Sequence, residues 1–194
     1  MYRKDRQNEF YTMLAKKEGY PARSVYKLKE IDEKYKIFKE GDRVLDLGSA
    51  PGSWLLYISQ KVGDRGKIVG VDIEEIKMSP KANIIFIKKN VLDLEESDFK
   101  NKFEVVVSDL SPKTSGIRFL DTGKSLELAE KSFEIAKSVL LPGGNFICKI
   151  FENESNNKFF KKMKNCFYFT KRFRPKAVIK KSKEFYIIGR GFKV

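Results

Sequence analysis

A lysine interrupts an otherwise apolar run at F-I-C-K-I-F, where Lys149 lies near the carboxyl end of a strand-like segment. Its aliphatic stem can follow a sheet edge and lift the amine into solvent. Alternatively the amine turns into a pocket, and it then needs a carboxylate beside it. Asp109 offers one at the end of the apolar run V-V-V-S-D. Glu184 opens E-F-Y-I-I-G and offers another, while Lys27 sits in the helix-like stretch R-S-V-Y-K-L-K-E-I. Two amines and two carboxylates can move a proton at a hydroxyl and steady the charge that appears. The chain has no histidine, so acid–base work falls to Lys, Asp, Glu, Tyr or Cys. Cys148 adjoins Lys149 and must face the other side of a strand, which makes it a small core residue. Cys148 and Cys166 are too few and too scattered for a disulfide framework or a C-x-x-C metal site. No metal is expected.

The stretch V-L-D-L-G-S-A-P-G-S-W over 44–54 runs from an apolar strand through a glycine-bearing loop into an apolar helix. Such loops cradle nucleotides at the carboxyl ends of strands in doubly wound sheets. No Lys-Ser or Lys-Thr follows Gly52, and Gly48 and Gly52 do not form G-x-G-x-x-G, so neither phosphate fingerprint is met. Asp46 at the mouth of the loop would repel a pyrophosphate and attract an ammonium or sulfonium. The next strand ends in Asp72, placed for a ribose diol, with Ile73 after it. Asp93, with Val91 nearby, follows the third strand and suits an adenine amino group. A nucleoside with a cationic tail and no phosphate is S-adenosylmethionine. Asp46, Gly48, Ser49, Pro51, Gly52, Trp54, Asp72, Ile73, Val91, Asp93 and Asp109 are the candidate binding residues.

The elements that must hold these groups alternate. Strands are expected at 43–47, 67–73, 84–88, 103–108, 144–150, 167–173 and 184–189, with helices at 53–62, 122–140 and 156–165. Ser53 is the expected N-cap of the first, and Leu141-Pro142-Gly143-Gly144 a break after the second. Continuous hydrophobicity in V-V-V-S and I-V-G-V-D fits parallel strands covered on both faces. The connection before the last strand is too short for a helical crossover, so one C-terminal strand should be antiparallel. The expected fold is α/β: a doubly wound, Rossmann-like, seven-stranded and mostly parallel sheet behind an N-terminal helical extension. One or two amphipathic helices are expected over 9–35, broken near Gly19-Tyr20-Pro21. The 194 residues fit one domain, with a basic helical segment at 1–40 and a core at 41–194.

Charge is uneven. The formal net charge is +14, yet residues 40–148 hold 15 Lys/Arg against 17 acids, while residues 149–194 hold 14 against 3. Residues 1–39 hold 11 against 6. Two basic ends folded onto one face would grip a polyanion. K-R-F-R-P-K at 171–176, with Lys180, Lys181 and Lys183 and interleaved aromatics, favours nucleic acid over a membrane. No run approaches the roughly 18 apolar residues of a membrane span. The opening M-Y-R-K-D-R-Q-N-E-F has no apolar signal region, so an intracellular soluble protein is expected, cytoplasmic unless an organellar or nuclear targeting segment precedes it.

Together A-R-S-V-Y-K-L-K-E-I, D-L-G-S-A-P-G-S-W, S-D-L-S-P, L-x-P-G-G-N-F-I-C-K-I-F and K-E-F-Y-I-I resemble the FtsJ/RrmJ family of RNA ribose 2′-O-methyltransferases over about residues 10–190. Ser49 and Ser53 depart from it, standing where alanine and glycine are common. The resemblance implies a catalytic tetrad of Lys27, Asp109, Lys149 and Glu184. It implies S-adenosylmethionine as cofactor, S-adenosylhomocysteine as product, and RNA as partner, bound by a protein expected to be monomeric. Large-subunit ribosomal RNA is the expected substrate, with a uridine as the acceptor nucleotide. The tRNA anticodon loop is the alternative, because G-Y-P-A-R-S-V-Y-K-L also resembles the tRNA-acting branch, and a ribosome-assembly role can coexist with activity. A 2′-OH acceptor means RNA rather than DNA. Arg23, Lys171, Arg172, Arg174, Lys176, Lys180 and Lys181 are the expected backbone contacts. Lys149 is expected to take the 2′-OH proton while Asp109 and Glu184 orient its amine.

Overall fold

The computed structural model describes residues 3–79, 81–179 and 181–193. Among the described residues the chain forms seven strands: β1 (Arg43–Leu47), β2 (Lys67–Asp72), β3 (Ile84–Lys88), β4 (Phe103–Ser108), β5 (Leu140–Phe151), β6 (Phe167–Phe173) and β7 (Glu184–Phe192). Its helices are α1 (Arg3–Lys17), α2 (Val25–Tyr35), α3 (Ser53–Val62), α4 (Arg118–Val139) and α5 (Asn156–Cys166). The strands join one sheet in the order β3-β2-β1-β4-β5-β7-β6. The first five are parallel, and β7 runs antiparallel to both of its neighbours. This is the expected seven-stranded, mostly parallel sheet with one antiparallel strand.

Covering both faces explains the apolar strands. Val44, Val105, Val107 and Ile147 face a core shared with α2 and α3, and Leu45, Val106, Phe146 and Cys148 face one built on α4 and α5. Alternation along each strand delivers its side chains to the two cores in turn. In α2 the fully buried Val25, Leu28 and Ile31 recur at helical spacing, which fixes the direction in which Lys27 projects.

Three details bear on the site. Asp32 ends α2: its carboxylate accepts from the Ile37 and Phe38 N–H groups and from the Tyr57 hydroxyl. Ser53 is not an N-cap. Gly52 holds that position at φ 108°, and the Ser53 Oγ accepts instead from the Ala22 N–H at 2.6 Å, tying the N-terminal segment to α3. The expected break at Leu141–Gly144 is absent as a loop, because α4 runs directly into β5 and Leu140 already pairs with Phe103. Pro142, which has no N–H, and Gly143 at φ 80° lie where the register shifts between Phe103 and Val105. The turn chemistry serves this register shift rather than a connection.

Candidate active site

Asp109, one residue beyond the end of β4, gathers a cluster around itself. The Lys149 Nζ donates to the Asp109 backbone carbonyl at 2.6 Å and lies 3.2 Å from its Oδ1. The Tyr186 hydroxyl donates to the same Oδ1 at 2.7 Å. Beside them the Lys27 Nζ and Glu184 Oε1 form an ion pair at 2.5 Å. Lys149 is 6 % exposed, so the amine is held inside and does not snorkel.

Register accounts for the pairing. In the β5–β7 ladder Lys149 is opposite Tyr186, and Glu184 is opposite Phe151. Residues two apart share a face, so Glu184 sits diagonally from Lys149 and reaches the lysine arriving from α2. The expectation that Glu184 orients the Lys149 amine is thus replaced: Asp109 holds Lys149, and Glu184 holds Lys27. Tyr186 went unread in the sequence. Period-two spacing from Glu184 put it on the right face, yet only the register shows that it meets Lys149.

The electrostatics follow from burial and partners. Burial alone raises the Asp109 carboxyl, but the charges of Lys149 and Lys27 and the hydrogen bonds from Tyr186 and Lys149 outweigh it and hold it below its ordinary value. Burial, reinforced by Asp109 and Glu184, keeps the Tyr186 phenol well above its ordinary range and hence a proton donor. Burial likewise leaves the Cys148 thiol inert.

The glycine loop adjoins this cluster. Gly48 and Ser49 donate their N–H groups to the Val71 carbonyl, and Gly52 closes the turn on the Ser49 carbonyl at 2.7 Å. A Cβ at Gly48, where φ is 82°, would lie 2.9–3.2 Å from Leu110, and one at Gly52 would meet Met78 at 2.9 Å. The positive φ at both places favours glycine, and at Gly48 the Leu110 backbone crowds any Cβ as well. Asp72 accepts from the Ala50 N–H and the Glu74 N–H, each at 2.9 Å, so its carboxylate already braces the loop and keeps lone pairs to spare. Lys77 donates its N–H to the Pro51 carbonyl, which folds the segment after β2 over the loop.

Asp46 is the anomaly. It is fully buried in β1, and neither carboxylate oxygen has a hydrogen-bond partner among the described residues. Burial, with Asp109 and Asp72 nearby, pushes its carboxyl well above the usual carboxylate range. A buried acid left unsatisfied is costly, about 1–3 kcal/mol or more. Such a group suits a donor or cation supplied by a ligand, as does the partnerless Ser49 Oγ. A nucleoside with a positively charged, phosphate-free tail fits this donor set.

Other expected residues lie around it. Ile73 is exposed just past β2, and in the 3-10 turn after β3 Asp93 is exposed and Val91 buried. The Trp54 side chain is committed to packing: its indole N–H donates to the Ser24 carbonyl, and its ring centroid lies 6.0 Å from that of Tyr186. Among the basic residues, Arg23 donates to Asn8 and Arg172 to Asn157, with Arg172 also over the Phe160 ring. The Arg174 guanidinium donates to the carbonyls of Ile179, Ser182 and Glu184. The Lys176 and Ala177 N–H groups donate to Glu30. Lys171 and Lys181 are exposed, and Lys180 lies outside the described residues.

Residues 20–192 match the model of the FtsJ-like methyltransferase family. The chain belongs to this family. It is 43 % identical over 184 residues to the ribosomal RNA large subunit methyltransferase E of Desulfatibacillum aliphaticivorans, covering 93 % of this chain and 89 % of that protein. It is 42 % identical to the protein of the same name from Syntrophobacter fumaroxidans, covering 93 % and 94 %. A Plasmodium falciparum crystal structure described as a ribosomal RNA methyltransferase superposes with a TM-score of 0.78 at 25 % identity, covering 89 % of this chain and 98 % of that one. The protein is therefore a methyltransferase, and the buried amine and the glycine loop are read in that light.

Proposed function

We propose that the protein transfers a methyl group from S-adenosylmethionine to a ribose 2′-hydroxyl of large-subunit ribosomal RNA. The observation that carries this reading is the buried Lys149 amine fixed on Asp109 next to a glycine loop whose neighbouring carboxylate, Asp46, has no partner of its own. The names of the relatives support ribosomal RNA as the substrate. In this reading residues 41–194 are the catalytic core, and 1–40 are a basic helical segment that brings Lys27 into reach.

Asp46, Gly48, Ser49, Gly52 and Asp72 would hold the cofactor, with Ile73, Val91 and Asp93 beside its base. When bound it supplies an electrophilic methyl group to the ribose oxygen. The protein's own residues handle the proton. A Lys149 Nζ that has first released its proton to solvent accepts the 2′-OH proton, and the ammonium so restored is the one the Asp109 Oδ1 and carbonyl oxygen hold. Tyr186 fixes the Asp109 carboxylate by donating to it. The Lys27–Glu184 pair adds no net charge, leaving Lys27 as a donor toward the substrate backbone. With the groups already placed, positioning supplies much of the rate. Lys171 and Lys181 extend the basic surface along which RNA would lie, and Arg23, Arg172, Arg174 and Lys176 add charge from tethered positions.

The test supplies separated large ribosomal subunits and tRNA with labelled S-adenosylmethionine and then hydrolyses the RNA in alkali. A 2′-O-methyl group blocks cleavage at its own nucleotide, so label in an alkali-stable dinucleotide from large-subunit RNA supports the reading. Label on a base, on tRNA alone or on protein refutes it.

A further inference from the structure

The segment that leaves the active site at Asp109 ends in an exposed aromatic. Phe119 in the first turn of α4 is 81 % exposed, flanked by the exposed Ile117 and Leu120. Isolated apolar residues on a surface are ordinary, whereas three within four positions are not. The segment does not dangle. The Asp121 carboxylate accepts from the Ser115 N–H at 2.7 Å, the Ser115 hydroxyl at 2.8 Å and the Gly116 N–H at 3.2 Å. The Asp121 N–H returns to the Ile117 carbonyl, and the Phe119 carbonyl accepts from the Thr122 hydroxyl.

Its position is set by β5. The Phe151 N–H, two residues past Lys149, donates to Ser125 Oγ at 2.9 Å, and Asn153 Nδ2 reaches Thr122 Oγ1 at 3.3 Å. The turn bearing Phe119 is thus fastened to the strand end that bears the amine. Its charge is one-sided as well. Residues 110–120 contain Lys113 and Arg118 and no acid, and Lys124 follows one turn on. All three cations are exposed. An exposed ring among cations fits a single-stranded nucleic acid, because a base can stack on the ring while the cations follow its phosphates.

We infer that Phe119 is a stacking platform for an unpaired base of the RNA next to the methylated nucleotide, with Lys113, Arg118 and Lys124 along its backbone. This rests on RNA being the substrate. The ring holds an adjacent base flat beside the active site, so the ribose presented to Lys149 stays in place. A flat ring reads a base's face and not its edge, so the contact is tolerant of sequence.

The experiment compares two strands of equal length and charge, a 12-nucleotide single-stranded RNA and the same strand with abasic sites, by fluorescence anisotropy at fixed salt. The wild type should bind the base-bearing strand about ten-fold more tightly, the scale of one stacked base. Phe119→Ala should erase that preference, Phe119→Trp should keep it, and Phe119→Leu, equally apolar but without a ring face, should not. Retention of the preference by Phe119→Ala, its absence in the wild type, or full rescue by leucine overturns the proposal, leucine rescue pointing to a protein partner at this patch. Methyl transfer is read separately on ribosomal subunits. A wild type that prefers bases yet methylates no ribose would refute the proposed reaction and leave the platform standing.

Discussion

Lys149 and Tyr186 face each other across the β5–β7 ladder, and both reach Asp109, one from the strand on either side of the register. The carboxylate therefore has two donors in a buried place. Tyr186→Phe removes one of them with almost no change of volume. A hydrogen bond to a charged group is worth about 1.5–3 kcal/mol, so stability should fall by about that much. Methyl transfer should slow about ten-fold as Asp109 and the amine lose their fixed geometry. Chemical denaturation and single-turnover rates check both.

Asp109 also gives a pH signature. Its folded-state carboxyl lies below the ordinary value, which in an unfolded chain is about 3.9. The stability it contributes is therefore present above about pH 4 and is lost as the pH falls through the lower folded value. Asp109→Asn should flatten the acid limb of the stability profile and abolish activity at every pH. Urea midpoints taken between about pH 2 and pH 6 read the first effect, and a steep limb in the variant would count against it.

Asp46 should show the opposite sign. Its folded carboxyl is raised by burial, Asp109 and Asp72, so the unliganded protein loses stability as pH rises from about 4 toward that folded value. Asp46→Asn removes the penalty. The apoprotein should melt a few degrees higher at neutral pH, at about 2–4 °C per kcal/mol for a chain of this size. Affinity for S-adenosylmethionine should fall about ten-fold or more. Scanning calorimetry and titration calorimetry on one preparation measure the pair. A destabilised variant with unchanged affinity would show that the orphaned acid serves packing alone.

The footprint is testable by salt. Lys171→Glu combined with Lys181→Glu should weaken RNA binding and make its dependence on log salt shallower, by about 0.7–0.9 for each lost phosphate contact. Identical slopes would remove both residues from the interface.

Much of this was legible in the sequence, for physical reasons. The strand limits at 43–47, 84–88, 103–108 and 167–173 coincide with those of β1, β3, β4 and β6, because a glycine or a charged residue follows each run. Asp109, Lys149 and the glycine loop stood out because a charge or a pair of glycines conflicts with an apolar run. Partner choice was not legible. Pairing Glu184 with Lys27 rather than Lys149 depends on a two-residue offset in the β5–β7 register, which no local pattern encodes. Ser53 illustrates the same limit, since its hydroxyl follows the N-cap rule until tertiary contact with Ala22 claims it. At Pro142–Gly143 the turn formers lie inside β5, where its register with β4 shifts, rather than in a connection.

The most direct measurement is the single-turnover transfer of labelled methyl to large-subunit RNA by Lys149→Ala, with S-adenosylmethionine affinity determined on the same sample. Transfer should fall by at least about a thousand-fold, within the range a positioned acid–base group supplies, with cofactor affinity within a few-fold of wild type. Transfer at the wild-type rate by a variant that still binds the cofactor would contradict this.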